Sequence, residues 1–105
     1  MPAYVVSMMS ISDADTYRKY TDRTPPIVKK YGGQFLARGG DVLTVEGEEY
    51  KDRMVILEFP DRQAILDWYA DPEYVEARAF RHASSEARIF VIDGNDNTLN
   101  PDPNL

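Results

Sequence analysis

At 105 residues and 12.0 kDa, with 43% hydrophobic residues, the chain has the size of one globular domain and too much apolar character to stay unfolded. A formal net charge of −6 and a pI near 4.6 argue against the basic face that nucleic acid requires, and the lack of cysteine excludes disulfides, thiolate metal sites and a thiol nucleophile. No apolar run approaches the ~20 residues of a membrane span, and Met1-Pro2-Ala3-Tyr4 lacks the order of a secretory signal, so a cytoplasmic protein without membrane or nucleic-acid partners is expected.

Residues 3–9 form a short apolar run with β-branched and aromatic members and read as a strand. Ser12, with Asp15 three positions on, marks a capped helix start. Tyr17, Tyr20, Thr24, Val28 and Tyr31 then recur at spacings of three and four, which places them on one helical face. Pro25 and Pro26 interrupt this pattern. Inside a continuous helix each would cost about 3 kcal/mol, whereas behind a Thr24 cap both fall in a first turn. Two short helices, or one sharply kinked helix, are expected, ended by Gly32-Gly33.

Residues 34–38 read as a second strand, and residues 42–46 either continue it past a glycine bulge or pair beside it. Residues 47–52 are a polar hairpin loop, and residues 53–59 are the clearest strand of the chain. Pro60-Asp61 opens a helix to about Tyr69, and Asp71-Pro72 starts another, with Asp71 as cap and Pro72 in the first turn. Residues 86–93 form the last strand. Residues 94–105, rich in Asn, Asp and Pro, read as a flexible or partner-wrapping tail after a folded unit of residues 1–93.

Strand, helix, strand, strand, helix, strand is the order of a ferredoxin-like α+β fold with an antiparallel sheet. Both strand faces are apolar. Val55, Leu57 and Phe59 oppose Met54 and Ile56, Ile89 and Val91 oppose Phe90 and Ile92, and Tyr4, Val6 and Met8 oppose Val5 and Met9. The helices of one chain cover only one face, so a homodimer with sheet packed on sheet is expected; a tail folded over the open face is the alternative.

Two groups of residues point to an anion. Arg38-Gly39-Gly40 joins a planar guanidinium to backbone that can turn N–H groups toward a carboxylate or phosphate; the plain reading is a glycine bulge beside an exposed arginine. Trp68 and Tyr69 end one helix, and Tyr74, Arg78 and Arg81 recur on the next, while Tyr17 and Tyr20 lie on the first. Such stripes are commonly core, yet buried hydroxyls need partners. His82 is the single histidine, so no metal site is expected, although it remains a candidate acid or base. Glu46, Glu58 and Arg53 make a polar set best explained as cross-strand pairing. Asp93-Gly94-Asn95-Asp96 lacks the ligand alternation and closing glutamate of a calcium loop.

As a set, Tyr31-Gly32-Gly33, Leu36-Ala37-Arg38-Gly39-Gly40, Glu46-Gly47, Arg53 leading to Glu58-Phe59-Pro60, Trp68-Tyr69, Pro72-Glu73-Tyr74 and Arg81 resemble the domain of unknown function 1330 family over residues 3–93. The resemblance implies a dimeric α/β barrel with a pocket between helices and sheet. The wider fold group includes cofactor-independent monooxygenases, lactone isomerases and haem-handling proteins, and the family itself carries no settled activity. On that resemblance Arg38, Tyr20, Trp68, Tyr69, Tyr74 and Arg81 are expected to bind a small anionic organic molecule, and His82 or Tyr17 to move a proton, without cofactor or metal. A binding or sensing module without chemistry, and a structural homodimer whose tyrosines fill the pocket, are the competing expectations.

Overall fold

Alternation of apolar side chains builds the sheet. In the computed structural model, which describes residues 1–95 and 98–102, β1 (Ala3–Ile11), β2 (Gln34–Arg38), β3 (Arg53–Phe59) and β4 (Ser85–Asp93) pair antiparallel in the order β2-β3-β1-β4. Val5 lies opposite Leu57 and Val91, and Val6 opposite Ile56 and Phe90, so the period of two sorts every strand onto the same two faces. Ala3, Val5, Val55, Leu57 and Phe59 are buried under the helices, whereas Phe90 and Ile92 on the other face are exposed. The expected ferredoxin-like α+β layout is the observed one.

The proline pair divides the first helical segment as expected, into α1 (Ala14–Thr21) and α2 (Thr24–Lys30). Two caps differ from expectation. Asp13, not Ser12, caps α1, because its carboxylate reaches the Thr16 N–H at 3.2 Å and also accepts from the Thr16 hydroxyl at 2.7 Å. Ser12 instead ties the start of α1 to the end of the chain's last helix, donating from both its N–H and its hydroxyl to the Ser84 carbonyl. Thr24 is already helical, and its hydroxyl donates to the Thr21 carbonyl.

α3 (Arg62–Ala70) and α4 (Pro72–Ser84) follow β3, each started by an aspartate. Asp71 is buried and does more than cap α4. Its Oδ1 accepts from the Glu73 and Tyr74 N–H groups, and its Oδ2 accepts from Lys30 Nζ at 2.9 Å and the Tyr31 hydroxyl at 2.5 Å. The Tyr31 and Lys30 bonds hold this carboxyl well below the usual carboxylate range, and one side chain thereby staples α2 to α4.

The stretch expected to extend β2 forms no strand. β2 stops where Gly39 adopts φ +70° and donates its N–H to the Met54 carbonyl, and residues 40–52 run as a loop with Leu43 and Val45 exposed. β propensity in residues 42–46 finds no neighbouring strand to pair with. The bulge lies earlier, at Leu36: Phe35 pairs with Leu57, but Ala37 pairs with Ile56 and Arg38 with Val55. Of the expected tail, residues 96–97 and 103–105 lie outside the described residues.

Candidate functional site

The bulge at Leu36 aims the site's first arginine. Without the extra residue Arg38 would share a face with Leu36; the one-residue shift puts it in register with buried Val55, on the helix side of the sheet. There its Nη2 donates to the Thr21 carbonyl at 2.9 Å, and its guanidinium lies 4.5 Å from the Phe35 ring centre. Arg53 arrives on the same side by simple alternation, two residues before Val55. Its guanidinium lies 5.5 Å from the Tyr17 ring, directly beneath Gly39. A Cβ on Gly39 would push Arg53 Nη1 aside, and the positive φ there disfavours any other residue, so the backbone turn after Arg38 favours glycine. Arg81 reaches the same space from α4, following Tyr74 and Ala77 along the helix's buried stripe.

Arg38, Arg53 and Arg81, with Tyr17, Tyr20 and Trp68, line one cavity between sheet and helices. It is small, about 20 Å³, which is room for about one water. Among the described residues no Asp, Glu, His or Lys lines it. Of the buried side-chain donors in the described residues, four lack a hydrogen-bond partner: Arg53 Nε, Trp68 Nε1, Arg81 Nε and Arg81 Nη2. All four belong to residues of this cavity. Buried donors are nearly always paired, and an orphan costs about 1–3 kcal/mol; here all four orphans sit on side chains that line one space.

The hydroxyls nearby are committed. The Tyr17 hydroxyl donates to the Met9 sulfur at 2.7 Å, and Tyr20 and Tyr74 share a 2.8 Å bond between their hydroxyls. Burial pushes the Tyr17 phenol up against the opposing charge of Arg53, and burial together with Tyr20 raises Tyr74 further, so both stay protonated at neutral pH. Burial works to lower Arg81, but the phenols of Tyr74, Tyr20 and Tyr69 outweigh it, and the guanidinium remains charged. Trp68 packs 4.2 Å from the Tyr74 ring and 5.2 Å from the Phe59 ring, contacts that hold its indole in place beside the cavity.

An open groove of about 360 Å³ lies outside the cavity and shares Tyr17, Thr21, Arg38 and Arg53 with it, adding Arg18 at the rim. On the other side, a second groove shares Arg81 and Ile89 with the cavity and carries Tyr69 and His82. The structure therefore brings Tyr17, Tyr20, Arg38, Trp68 and Arg81 together and holds Tyr74 behind Tyr20. Tyr69 and His82 lie outside the cavity, Tyr69 stacked at 3.9 Å under Arg78. Burial, then Arg81 and Arg78, lower the His82 pKa. Arg53 is the member that reading the sequence as a cross-strand pair missed. Its odd-numbered place in β3, in phase with Val55 and Leu57, was the available signal.

A family model described as a domain of unknown function, DUF1330, matches residues 2–95. The chain belongs to the DUF1330 family. No curated protein matches it. Among solved structures, a protein of unknown function from Rhodopseudomonas palustris is 22% identical, with a TM-score of 0.76 over 90% of this chain and 83% of that one. SnoaB, a cofactor-independent oxygenase from Streptomyces nogalater, is 16% identical, with a TM-score of 0.62 over 94% of this chain and 98% of that one. A dimeric ferredoxin-like protein of unknown function from Jannaschia sp. is 12% identical, with a TM-score of 0.63 over 90% of this chain and 100% of that one. At these identities the likeness is one of fold. This DUF1330 chain therefore shares its scaffold with an oxygenase and with proteins of unassigned function, and its own side chains carry the argument about what it binds.

Proposed function

We propose that this protein binds a small organic acid, with the carboxylate held in the cavity by Arg81 and Trp68. One observation carries the proposal. Arg81 is 4% exposed, and its unpartnered atoms are Nε and Nη2, the two that form the side-on fork of a guanidinium. A carboxylate accepts both in parallel, the geometry of the strongest arginine–acid pairs. Trp68 Nε1 supplies a third donor, and no carboxylate of the protein's own lines the space. Arg38 and Arg53 make the approach basic in a chain of net charge −6, which favours entry of an anion from that groove.

Nothing in this wall removes a proton at neutral pH. Its charged groups are all guanidiniums, which only donate, so it favours negative charge already on the ligand or developing there. Binding is the function it supports best, and any reaction here is one on an acid that brings its own negative charge. A panel of monocarboxylates tested by thermal shift, with product analysis of each mixture, examines this. At least one acid is expected to raise the wild-type Tm and to leave Arg81→Met unmoved. If no acid shifts the wild type, or both proteins shift alike, the proposal fails.

The open sheet face supports a homodimer as the working unit. Tyr4, Val6, Met8, Met54 and Ile56 are only half-buried there, beside exposed Phe90 and Ile92, an apolar area that no helix of the chain covers. The neighbour from Jannaschia sp. is described as dimeric. Sedimentation is expected to give a two-chain species at micromolar concentration, and Val6→Asp a single chain. A wild-type monomer would end this reading.

A further inference from the structure

The loop between β2 and β3 turns its apolar side chains the wrong way for a lone subunit. Polar Thr44 is half-buried, and its hydroxyl accepts from the Tyr50 N–H at 2.9 Å, while Leu43 and Val45 on either side of it are 83% and 90% exposed. Val42 is exposed as well. Single apolar side chains at a surface are ordinary, but three within four residues make a patch. The feet of this arm are fixed. It leaves β2 at Gly39, whose N–H donates to the Met54 carbonyl, and it returns at Tyr50, whose hydroxyl donates to the Arg53 carbonyl at 2.8 Å. A segment pinned at both feet with Leu43 and Val45 turned outward leaves their burial to something outside the subunit.

The position of the arm points to a second copy of this chain. Tyr50 and Asp52 line a groove with residues 8–10 and 86–88. Of these, Met8, Ser10, Glu86 and Arg88 share the phase of Val6 and Phe90, so the returning foot stands at the margin of the uncovered sheet face. That face is of limited size. Four strands of five to nine residues outline about 19 Å by 25 Å, roughly 500 Å², which makes the face alone marginal against the roughly 800 Å² that each partner gives to a standard interface. An arm rising at its edge enlarges it, and two-fold symmetry gives each copy the same contact. We infer that residues 42–46 are a dimer arm, which in the two-chain species lays Leu43 and Val45 on the other copy. The inference rests on the homodimer reading above and extends it from the sheet face to a second, exchanged contact.

The chain has no cysteine, so Val45→Cys carries a single thiol, and its rate of reaction with a disulfide reagent such as DTNB reports on the arm alone. Sedimentation at the same concentrations gives the oligomeric state. The thiol is expected to react at least about tenfold more slowly in the two-chain species than in the single chain, obtained by dilution or by adding Val6→Asp. Leu43→Ser with Val45→Ser should raise the dimer dissociation constant at least about tenfold, with an unchanged circular dichroism spectrum. One thiol rate in both species overturns the arm and leaves the sheet-face dimer standing: a fast rate would mean an arm free for some other partner, a slow one an arm folded on its own subunit. A double serine variant that dimerises like wild type overturns it too. A wild type that stays a single chain at micromolar concentration removes the homodimer reading and the inference with it.

Discussion

Replacing Arg81 by methionine is expected to stabilise the protein while abolishing its response to acids. Arg81 is 4% exposed, and two of its nitrogens have no hydrogen-bond partner. At about 1–3 kcal/mol for each unpaired buried donor, these two atoms remove roughly 2–6 kcal/mol from the folded state. Methionine retains the packing of the aliphatic stem but leaves the guanidinium's volume unfilled, which returns about 1 kcal/mol. In the lower half of that range the net gain is about 2 kcal/mol, in line with other replacements of buried charge by apolar side chains. For a chain of this size it corresponds to a Tm roughly 10 °C higher. The measurement is urea and thermal unfolding of both proteins in buffer free of carboxylate and phosphate. Adding a bound acid should then reverse the order, because ligand at a hundredfold its Kd stabilises only wild type, by about 2.7 kcal/mol. A variant less stable than wild type by 1 kcal/mol or more in acid-free buffer refutes the reasoning. It would mean that Arg81 is satisfied without a ligand.

Tyr20→Phe leaves the fully buried Tyr74 hydroxyl without its 2.8 Å partner and is expected to cost about 1–3 kcal/mol; Tyr20→Phe with Tyr74→Phe should recover most of that loss, and a double-mutant cycle by urea unfolding that gives simple additivity would contradict it. Gly39→Ala should displace Arg53 and impose about 1–2 kcal/mol of left-handed backbone strain, lowering Tm; a thermal scan with the wild-type Tm would contradict it. Asp71 is held below its ordinary pKa by Tyr31 and Lys30, so the stability it contributes is complete above the unfolded carboxylate value, near 4, and is lost as pH falls through the folded one. Tm measured from pH 6 to pH 2 should therefore fall less steeply in Asp71→Asn than in wild type, and parallel curves would exclude the staple.

Much of the fold was legible because its determinants are local. The alternation in residues 3–9 and 53–59 assigns faces wherever the strands lie, and the apolar character of both faces already calls for cover on two sides. Pro25-Pro26 divides a helix by removing N–H groups, and Asp71-Pro72 starts one, in any tertiary setting. Arg81, seven residues after Tyr74, was inward-facing by helical period alone. The cap at Asp13 was missed because Ser12 is equally suited to it, and only the docking of Ser12 on Ser84 separates the two.

What tertiary structure alone decided is which groups meet, and which meet nothing. The bulge at Leu36 turns Arg38 inward only when β2 is laid against β3, and residues 42–46 stay unpaired because no strand lies beside them. His82 adjoins Arg81 in sequence, yet about 100° of helical rotation leaves it outside the cavity that Arg81 lines, on the neighbouring groove. The orphaned donors of Arg53, Trp68 and Arg81 come from three separate elements. Whether a donor is satisfied depends on every atom around it, and those atoms are set by the packing of residues distant in the chain, which no local period encodes.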